Sequence, residues 1–144
     1  MTDLERAKAL LPGHSVAFVN GERSLVLDGR GVSPLLGLIG GEDVGGASAA
    51  DLVIGKAAAM LMTALGVKSA YGETMSAAGY EYLTAHGIRA EYGTLTDFIS
   101  NRDGSGQCPM ELAVKDVSDP LDGVAAIKAR LEQLKKRQVK MIKG

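Results

Sequence analysis

VKSAYGETMSAAGYEYLTAHGIRAEY, residues 67–92, is the segment that decides the fold class of this chain. Its two ends, Val67–Tyr71 and Ile88–Tyr92, have the composition of short strands, and Ser76–His86 between them has helical spacing and ends at Gly87. A strand, a helix and a second strand joined by short connections form a βαβ unit with parallel strands and a right-handed crossover. The segment therefore predicts an α/β protein.

The residues upstream of this unit predict an antiparallel hairpin. The runs Ser15–Val19 and Ser24–Leu27 are joined through Asn20-Gly21. Asn-Gly between apolar runs favours a tight turn, because both residues tolerate positive φ. These two strands should extend the sheet that the βαβ unit begins.

Capping patterns predict the helices. Ser33-Pro34 favours the start of a short helix, and Ser48-Ala49-Ala50-Asp51 has the spacing of a capping box. That box predicts a helix from residue 48 to about Leu65, with Gly66 as its left-handed stop. The other predicted elements are an N-terminal helix before Pro12-Gly13, a helical turn at Leu95–Ser100, a helix at Pro109–Val114 (or an edge strand at Val114–Val117) and a terminal helix from Ser118-Asp119-Pro120.

Together these elements predict a three-layer α/β/α sandwich with a mixed sheet, in which the antiparallel hairpin continues into parallel strands. We expect residues 1–144 to form a single domain, with a core at about 14–117 and a C-terminal helix at about 119–141. No repeat, low-complexity tract or interdomain linker interrupts it.

Charge and cysteine content narrow the classes of protein. A net charge of −1 argues against a general nucleic-acid binder. The C-terminal segment is nevertheless basic, either as a solvated helix face that suits the negative end of the helix dipole or as a contact with a membrane or nucleic acid. Its seven basic residues are Lys128, Arg130, Lys135, Lys136, Arg137, Lys140 and Lys143. A single cysteine, no signal-peptide pattern and no apolar run near ~20 residues predict a cytoplasmic protein.

Cys108-Pro109-Met110-Glu111 is the first candidate site, because it follows a glycine-rich polar loop and has the pattern of a helix start. A thiol at the positive end of a helix dipole favours the thiolate, so Cys108 is a candidate nucleophile with Glu111 beside it. The alternative is a small, partly buried cysteine whose neighbours cap the helix. Arg102, with Asn101, could bind a carboxylate or phosphate, or form a structural ion pair.

Lys56 is the second candidate. Gly55-Lys56 suggests a phosphate-binding loop, but Ala50 and Ala57 stand where that motif has glycine and Ser or Thr, and Lys56 falls inside the predicted helix. The dinucleotide fingerprint also fails, since Gly29-Arg30-Gly31 lacks its third glycine. Among small neighbours, Lys56 could still pair with a substrate anion or act as an acid or base, and otherwise it is a surface lysine.

Glu73, Thr74 and Ser76 follow the first strand of the βαβ unit, and ligands of open α/β sheets gather at the carboxyl ends of parallel strands. They are therefore ligand-binding candidates, although plain helix capping explains them as well. The two histidines, His14 and His86, have no carboxylate or cysteine neighbour at metal-ligand spacing, so no metal site is predicted.

Several stretches of the chain resemble an uncharacterised bacterial family, domain of unknown function 1893, which has a cytidine-deaminase-like fold. They are the Asn20-Gly21 hairpin, Gly31–Leu36, Asp51–Ala59, Gly87-Ile88, Asn101-Arg102 and Cys108–Glu111. The resemblance implies a mixed sheet sandwiched by helices and implies no established activity. It also places the two helix starts that hold the pocket of such folds at Asp51–Lys56 and at Glu73–Ser76, which makes Asp51 a further ligand-binding candidate. Proteins with this fold often self-associate.

Deaminases of this fold carry zinc on a His/Cys-x-Glu start and a Pro-Cys-x-x-Cys start. Neither His14 nor His86 is followed by x-Glu, and one cysteine cannot supply two thiolates. The leading hypothesis is therefore a metal-free and cofactor-free site for a small anionic or nucleotide-like molecule. Thiol-dependent catalysis or redox sensing at Cys108, and a non-enzymatic interaction module that uses the basic terminal helix, are the alternatives.

Overall fold

The structure is a computed structural model that describes residues 1–100 and 106–143, with side chains described up to residue 136. The helices are α1 (Asp3–Leu10), α2 (Ser33–Leu38), α3 (Lys56–Leu65), α4 (Ala77–Ala85), α5 (Pro109–Ala113) and α6 (Pro120–Lys143). The strands are β1 (Val16–Asn20), β2 (Arg23–Leu27), β3 (Ser48–Ile54), β4 (Ser69–Ser76) and β5 (Arg89–Thr96).

The strands form one mixed sheet in the order β2-β1-β3-β4-β5. The predicted β1–β2 hairpin forms, although its loop is Gly21-Glu22: Asn20 ends β1 opposite Arg23, and Gly21 alone of the pair Asn20-Gly21 has positive φ (60°). β1 also pairs antiparallel with β3. From β3 onward the pairing is parallel, through β4 to β5. The predicted continuation of an antiparallel hairpin into parallel strands is confirmed.

Alternate residues of the central strands pack into two separate apolar clusters. Val19 and Ala50 join Ala7 and Leu11 beside α1. Phe18, the neighbour of Val19, belongs to the larger cluster that contains the buried faces of α3 and α6. Because successive side chains of a strand point to opposite faces, helices cover both faces of the sheet, which is consistent with a three-layer sandwich.

The predicted helix from residue 48 to Leu65 is wrong in its first half. Residues 48–54 form β3, and the helix begins only at Lys56, after Gly55 in an extended conformation (φ −99°, ψ −171°). β3 lies between β1 and β4, and its first four residues are all buried. Its sequence therefore shows no alternation that would distinguish a strand from a helix. Hydrogen bonding of β3 to β1 on one edge and to β4 on the other favours the strand over the helix that the capping-box spacing of Ser48 and Asp51 predicted. Gly66 is the left-handed stop (φ 79°), as predicted.

Two further boundaries differ from the prediction. β4 runs through Ser76, several residues beyond the predicted end at Tyr71, because its edges pair with β3 and β5 along the whole length. Residues 95–100 do not form a helical turn: β5 continues to Thr96, and Ser100 forms an isolated antiparallel bridge with Gln107.

The helical alternative for Pro109–Val114 is confirmed by α5, and no strand forms at residues 114–117. Among the described residues, no helix combines the length and apolarity needed to cross a membrane.

Close packing around Gly55 fixes the position at which β3 ends. A Cβ on Gly79 of α4 would lie 2.9 Å from the carbonyl oxygen of Ile54 and 3.0 Å from the carbonyl carbon of Gly55. We expect Gly79→Ala to lower the free energy of unfolding by about 2 kcal/mol, since the clash outweighs the helix propensity gained. Gly37→Ala in α2, where nothing lies within 4 Å, is the matched control and should be neutral or stabilising. Urea denaturation of both variants measures the difference, and equal effects would contradict this packing.

Candidate functional site

A cavity of about 210 Å³ lies between the end of β3, the loop at residues 29–32 and the segment that enters α5. Its polar lining includes Ser15, Asp51, Cys108 and Glu111. The remaining wall is formed by glycine backbone and apolar side chains, namely Gly29, Gly31, Val32, Leu52, Val53, Gly55, Ala58, Ile99 and Met110. Three residues that the sequence singled out, Asp51, Cys108 and Glu111, therefore meet at one place.

Asp51 is the most unusual group of this cavity. It lies within β3, opposite Val16 of β1 and Gly72 of β4, and only 8% of the residue is exposed. Loss of hydration raises the pKa of Asp51 to about 7, and hydrogen bonds from the backbone N–H groups of Val53 and Leu52 offset only part of that effect. A carboxyl that changes its protonation state near neutral pH can donate or accept a hydrogen bond there.

Glu111 crosses from α5 to cap the helix that follows β3. Its Oε1 accepts a hydrogen bond from the backbone N–H of Lys56 at 2.7 Å, and its Oε2 accepts one from Ala57 at 2.8 Å. Burial raises the pKa of Glu111, while these two hydrogen bonds and the charge of Lys56 act in the opposite direction. A Cβ on Gly55 would overlap this carboxylate, so glycine is needed before α3. With both oxygens engaged at the positive end of a helix dipole, Glu111 acts as a helix cap.

Cys108 precedes Pro109 at the start of α5 and lines the cavity with intermediate exposure. The sequence suggested that a helix dipole activates its thiol. The helix is only five residues long, which leaves little dipole for that purpose. Cys108 is placed where a bound molecule would contact it, and its accessibility is a probe of the cavity.

Lys56 does not line the cavity, although it is the first residue of α3. Its Nζ donates a hydrogen bond to the carbonyl oxygen of Lys115 at 3.0 Å. The prediction placed Lys56 in the interior of the helix, whereas the structure places it at the helix start, because residues 48–54 form a strand. The phosphate-loop motif is nevertheless incomplete, since Ala50 and Ala57 still stand in place of its glycine and hydroxyl residue.

Glu73, Thr74 and Ser76 lie within β4 and do not line the cavity beside Asp51. Thr74 pairs with Val53 of β3 and Thr94 of β5. Ser76 caps α4, where its hydroxyl accepts a hydrogen bond from the N–H of Gly79 at 3.0 Å. The sequence placed these residues in a loop after the strand because it ended the strand too early. Asn101 and Arg102 lie outside the described residues.

The sequence missed one side of the cavity, the loop that carries Gly29 and Gly31. The hydroxyl of Ser15 donates a hydrogen bond to the carbonyl oxygen of Gly29 at 2.6 Å, which ties this loop to the start of β1. The pair Gly29 and Gly31 was a sequence signal for close backbone approach at this loop, because glycine has no side chain. The sequence analysis used the pair only to exclude the dinucleotide fingerprint. Leu52 and Val53 were missed because they were taken for helix.

Side chains of the types that bind metals are scattered over the described part of the chain. No group of three or more His, Cys, Asp or Glu side chains there is arranged to hold a metal ion. The two histidines lie apart from such a group. His14 pairs with Asp28 at 3.1 Å, and His86 stacks on Tyr82 with ring centroids 4.1 Å apart.

Comparison with known proteins identifies the family. The chain is similar to a DUF1893 family protein (TM1506) from Thermotoga maritima, whose crystal structure superposes with a TM-score of 0.78 at 22% sequence identity, over 92% of this chain and 91% of that one. At that identity the likeness shows the fold alone. A search of curated proteins found no match. The family model described as TM1506, a domain of unknown function (DUF1893), matches residues 8–131, and the chain therefore belongs to this family.

Proposed function

We propose that this protein binds a small molecule in the cavity beside Asp51, on a cytidine-deaminase-like scaffold. The observation that carries the proposal is a carboxyl group that is almost fully buried and nevertheless lines an open cavity. Burying a carboxyl is unfavourable, so proteins seldom keep one inside unless it has a use there. The mixed sheet with helices on both faces supports the scaffold that the sequence resemblance implies.

The cavity changes one part of the earlier hypothesis, the preference for an anionic or nucleotide-like ligand. That preference rested on Lys56, whose ammonium group binds a backbone carbonyl instead, and on Arg102, which lies outside the described residues. The described lining contains no Lys or Arg side chain. We therefore retain the small-molecule site and drop the preference for an anion.

Cys108 keeps the thiol-dependent alternative open, because it lines the same cavity as Asp51. The single-domain organisation, a cytoplasmic location, self-association and an interaction role for the terminal helix stay predictions. In α6, Val124 and Ile127 are buried against the core, whereas Lys128, Lys135 and Lys136 are exposed.

A thermal-shift screen against a panel of small metabolites tests the proposed site. We expect at least one compound to raise the melting temperature, because a ligand that binds only the native state stabilises it by mass action. Ala58→Leu should abolish this shift, since Ala58 is 3% exposed and its added methyl groups would fill the cavity. Ala129→Leu, at an exposed position of α6, is the control and should leave the shift unchanged.

The same ligand should slow the alkylation of Cys108 by iodoacetamide, because both occupy one cavity. Shifts that persist in Ala58→Leu, with no protection of Cys108, would place binding elsewhere and contradict the proposal. A panel that stabilises neither protein at millimolar concentration would also count against it.

A further inference from the structure

The charges around the cavity define which ligands it can hold, if the proposed function is correct. Asp51 and Glu111 contribute two carboxyl groups to the described lining, and no Lys, Arg or His side chain contributes to it. Arg30 lies between two lining glycines but is itself exposed and does not line the cavity. The described lining therefore carries acidic groups and no cation, and the charge of Lys56, which lies outside the lining, acts on Glu111.

Asp51 has no cationic partner among the described residues, whereas some other acids of the structure have one. Two exposed or half-exposed carboxylates have one: Asp3 lies 3.1 Å from Nζ of Lys68, and Glu42 lies 3.7 Å from the guanidinium of Arg23. None of the ion pairs among the described residues includes Asp51. Buried charges are usually paired, so a buried acid without a cationic partner would gain from binding a cation.

Glu111 does not need an external partner. Both of its oxygens accept hydrogen bonds from the start of α3, whereas the hydrogen bonds of Asp51 come from its own strand neighbours Val53 and Leu52. Asp51 is therefore the carboxyl that remains available to a bound molecule.

The size and walls of the cavity limit what could accompany a cationic group. A volume of about 210 Å³ is below the ~300–1,000 Å³ of sites for drug-sized ligands. The walls around Asp51 are mostly apolar, through Val32, Leu52, Val53, Ile99 and Met110. A compact molecule with one polar end and a short hydrocarbon part matches these dimensions.

We infer that the cavity binds a small organic cation, such as a protonated primary amine on a short apolar group, with Asp51 as its counter-ion. The ammonium group would pair with the carboxylate, and the apolar group would contact the hydrophobic walls. An ion pair in a partly dehydrated site is stronger than one in water, and it supplies the partner that the buried carboxyl lacks.

Binding of a cation must compete with binding of a proton to the same carboxyl. The residues paired with Asp51 in the sheet, Val16 and Gly72, carry no charge, and the titratable groups across the described cavity are Glu111 and Cys108. Because the pKa of Asp51 is raised to about 7, most of this carboxyl is protonated at pH 5 and ionised at pH 8. Affinity for an amine should therefore rise about a hundredfold between pH 5 and pH 8.

Three probes that share one hydrocarbon skeleton test this inference: butylamine, butanol and butyrate. Each is titrated into wild-type protein and Asp51→Asn at pH 5 and pH 8, with backbone amide NMR shifts of residues 52–55, 108, 110 and 111 as the readout. We expect butylamine to bind wild type at pH 8 at least tenfold more tightly than butanol does. In Asp51→Asn, which keeps the shape of the side chain, this advantage and its pH dependence should disappear.

The outcomes separate the inference from the proposed function. Equal binding of butanol and butylamine in the cavity would overturn the cationic ligand and leave the small-molecule site intact. Tightest binding by butyrate would overturn it in favour of an anion. An amine that binds with the same affinity to Asp51→Asn would remove Asp51 as the counter-ion. If neither these probes nor any metabolite of the thermal-shift panel binds, both ideas fail together.

Discussion

Glu111→Ala should lower the free energy of unfolding by about 3 kcal/mol, the largest effect that we expect from a single substitution outside the apolar core. The variant removes the acceptor of two hydrogen bonds and leaves the N–H groups of Lys56 and Ala57 without it at the start of α3. Ala57 is 1% exposed, so water cannot easily replace the lost carboxylate. Hydrogen bonds to charged groups contribute about 1.5–3 kcal/mol each, and part of that loss is recovered by relaxation.

Urea denaturation at pH 7 measures this effect, with two further variants for comparison. Glu111→Gln retains one carbonyl acceptor but loses the charge, so its stability should lie between those of wild type and Glu111→Ala. Glu132→Ala removes an exposed glutamate from α6 and should change stability by less than about 0.5 kcal/mol. A loss no larger in Glu111→Ala than in Glu132→Ala would show that the carboxylate does not hold β3, α3 and α5 together.

Asp51→Asn should make the protein more stable at alkaline pH and flatten its pH dependence. The pKa of Asp51 is about 7 in the folded protein, against 3.8 for an aspartate in the unfolded chain. Between these values the folded state binds more protons than the unfolded state, so stability is greatest below the lower value and falls as pH rises toward 7. Asparagine carries no charge and does not titrate. Its advantage over wild type should therefore grow by about 3 kcal/mol from pH 5 to pH 8.

Urea unfolding at pH 5, 6, 7 and 8 tests this prediction. Burial also raises the pKa of Glu111, so wild type has a second group that acts in the same direction. That contribution remains in Asp51→Asn, and the difference between the two proteins isolates Asp51. The control is Asp116→Asn, which removes an exposed carboxylate and should follow the wild-type curve. If stability depended on pH in the same way in wild type and in Asp51→Asn, Asp51 would be ionised from pH 5 to pH 8 and burial would not raise its pKa.

Local signals predicted the parts of the fold that local physics determines. Gly21 specifies the hairpin turn through its positive φ of 60°, and Gly66 and Gly87 end helices with positive φ of 79° and 75°. The βαβ unit followed from two short apolar runs around a helix, because its connections are too short for another arrangement. The central strand β3 was not predicted, because its sequence has the spacing of a helix capping box. Its strand conformation depends on hydrogen bonding to β1 and β4, which are distant in sequence.

That one error accounts for most of what was wrong at the site. With β3 taken for helix, Asp51 became a capping residue rather than a buried acid in a strand. Leu52 and Val53 were not recognised as cavity walls for the same reason. Cys108 and Glu111 were found because a polar loop before Pro109 marks a helix start locally. The pairing of Glu111 with α3 spans 55 residues of sequence and had no local signal.

A crystal structure of the protein soaked with butylamine at pH 8 tests the central claim most directly. The account predicts density for the probe in the cavity between β3 and α5, with its nitrogen within about 3.2 Å of a carboxylate oxygen of Asp51. Density beside Lys56, or in the groove where α1 meets Lys68 and Arg89, with the cavity beside Asp51 empty, would contradict the account.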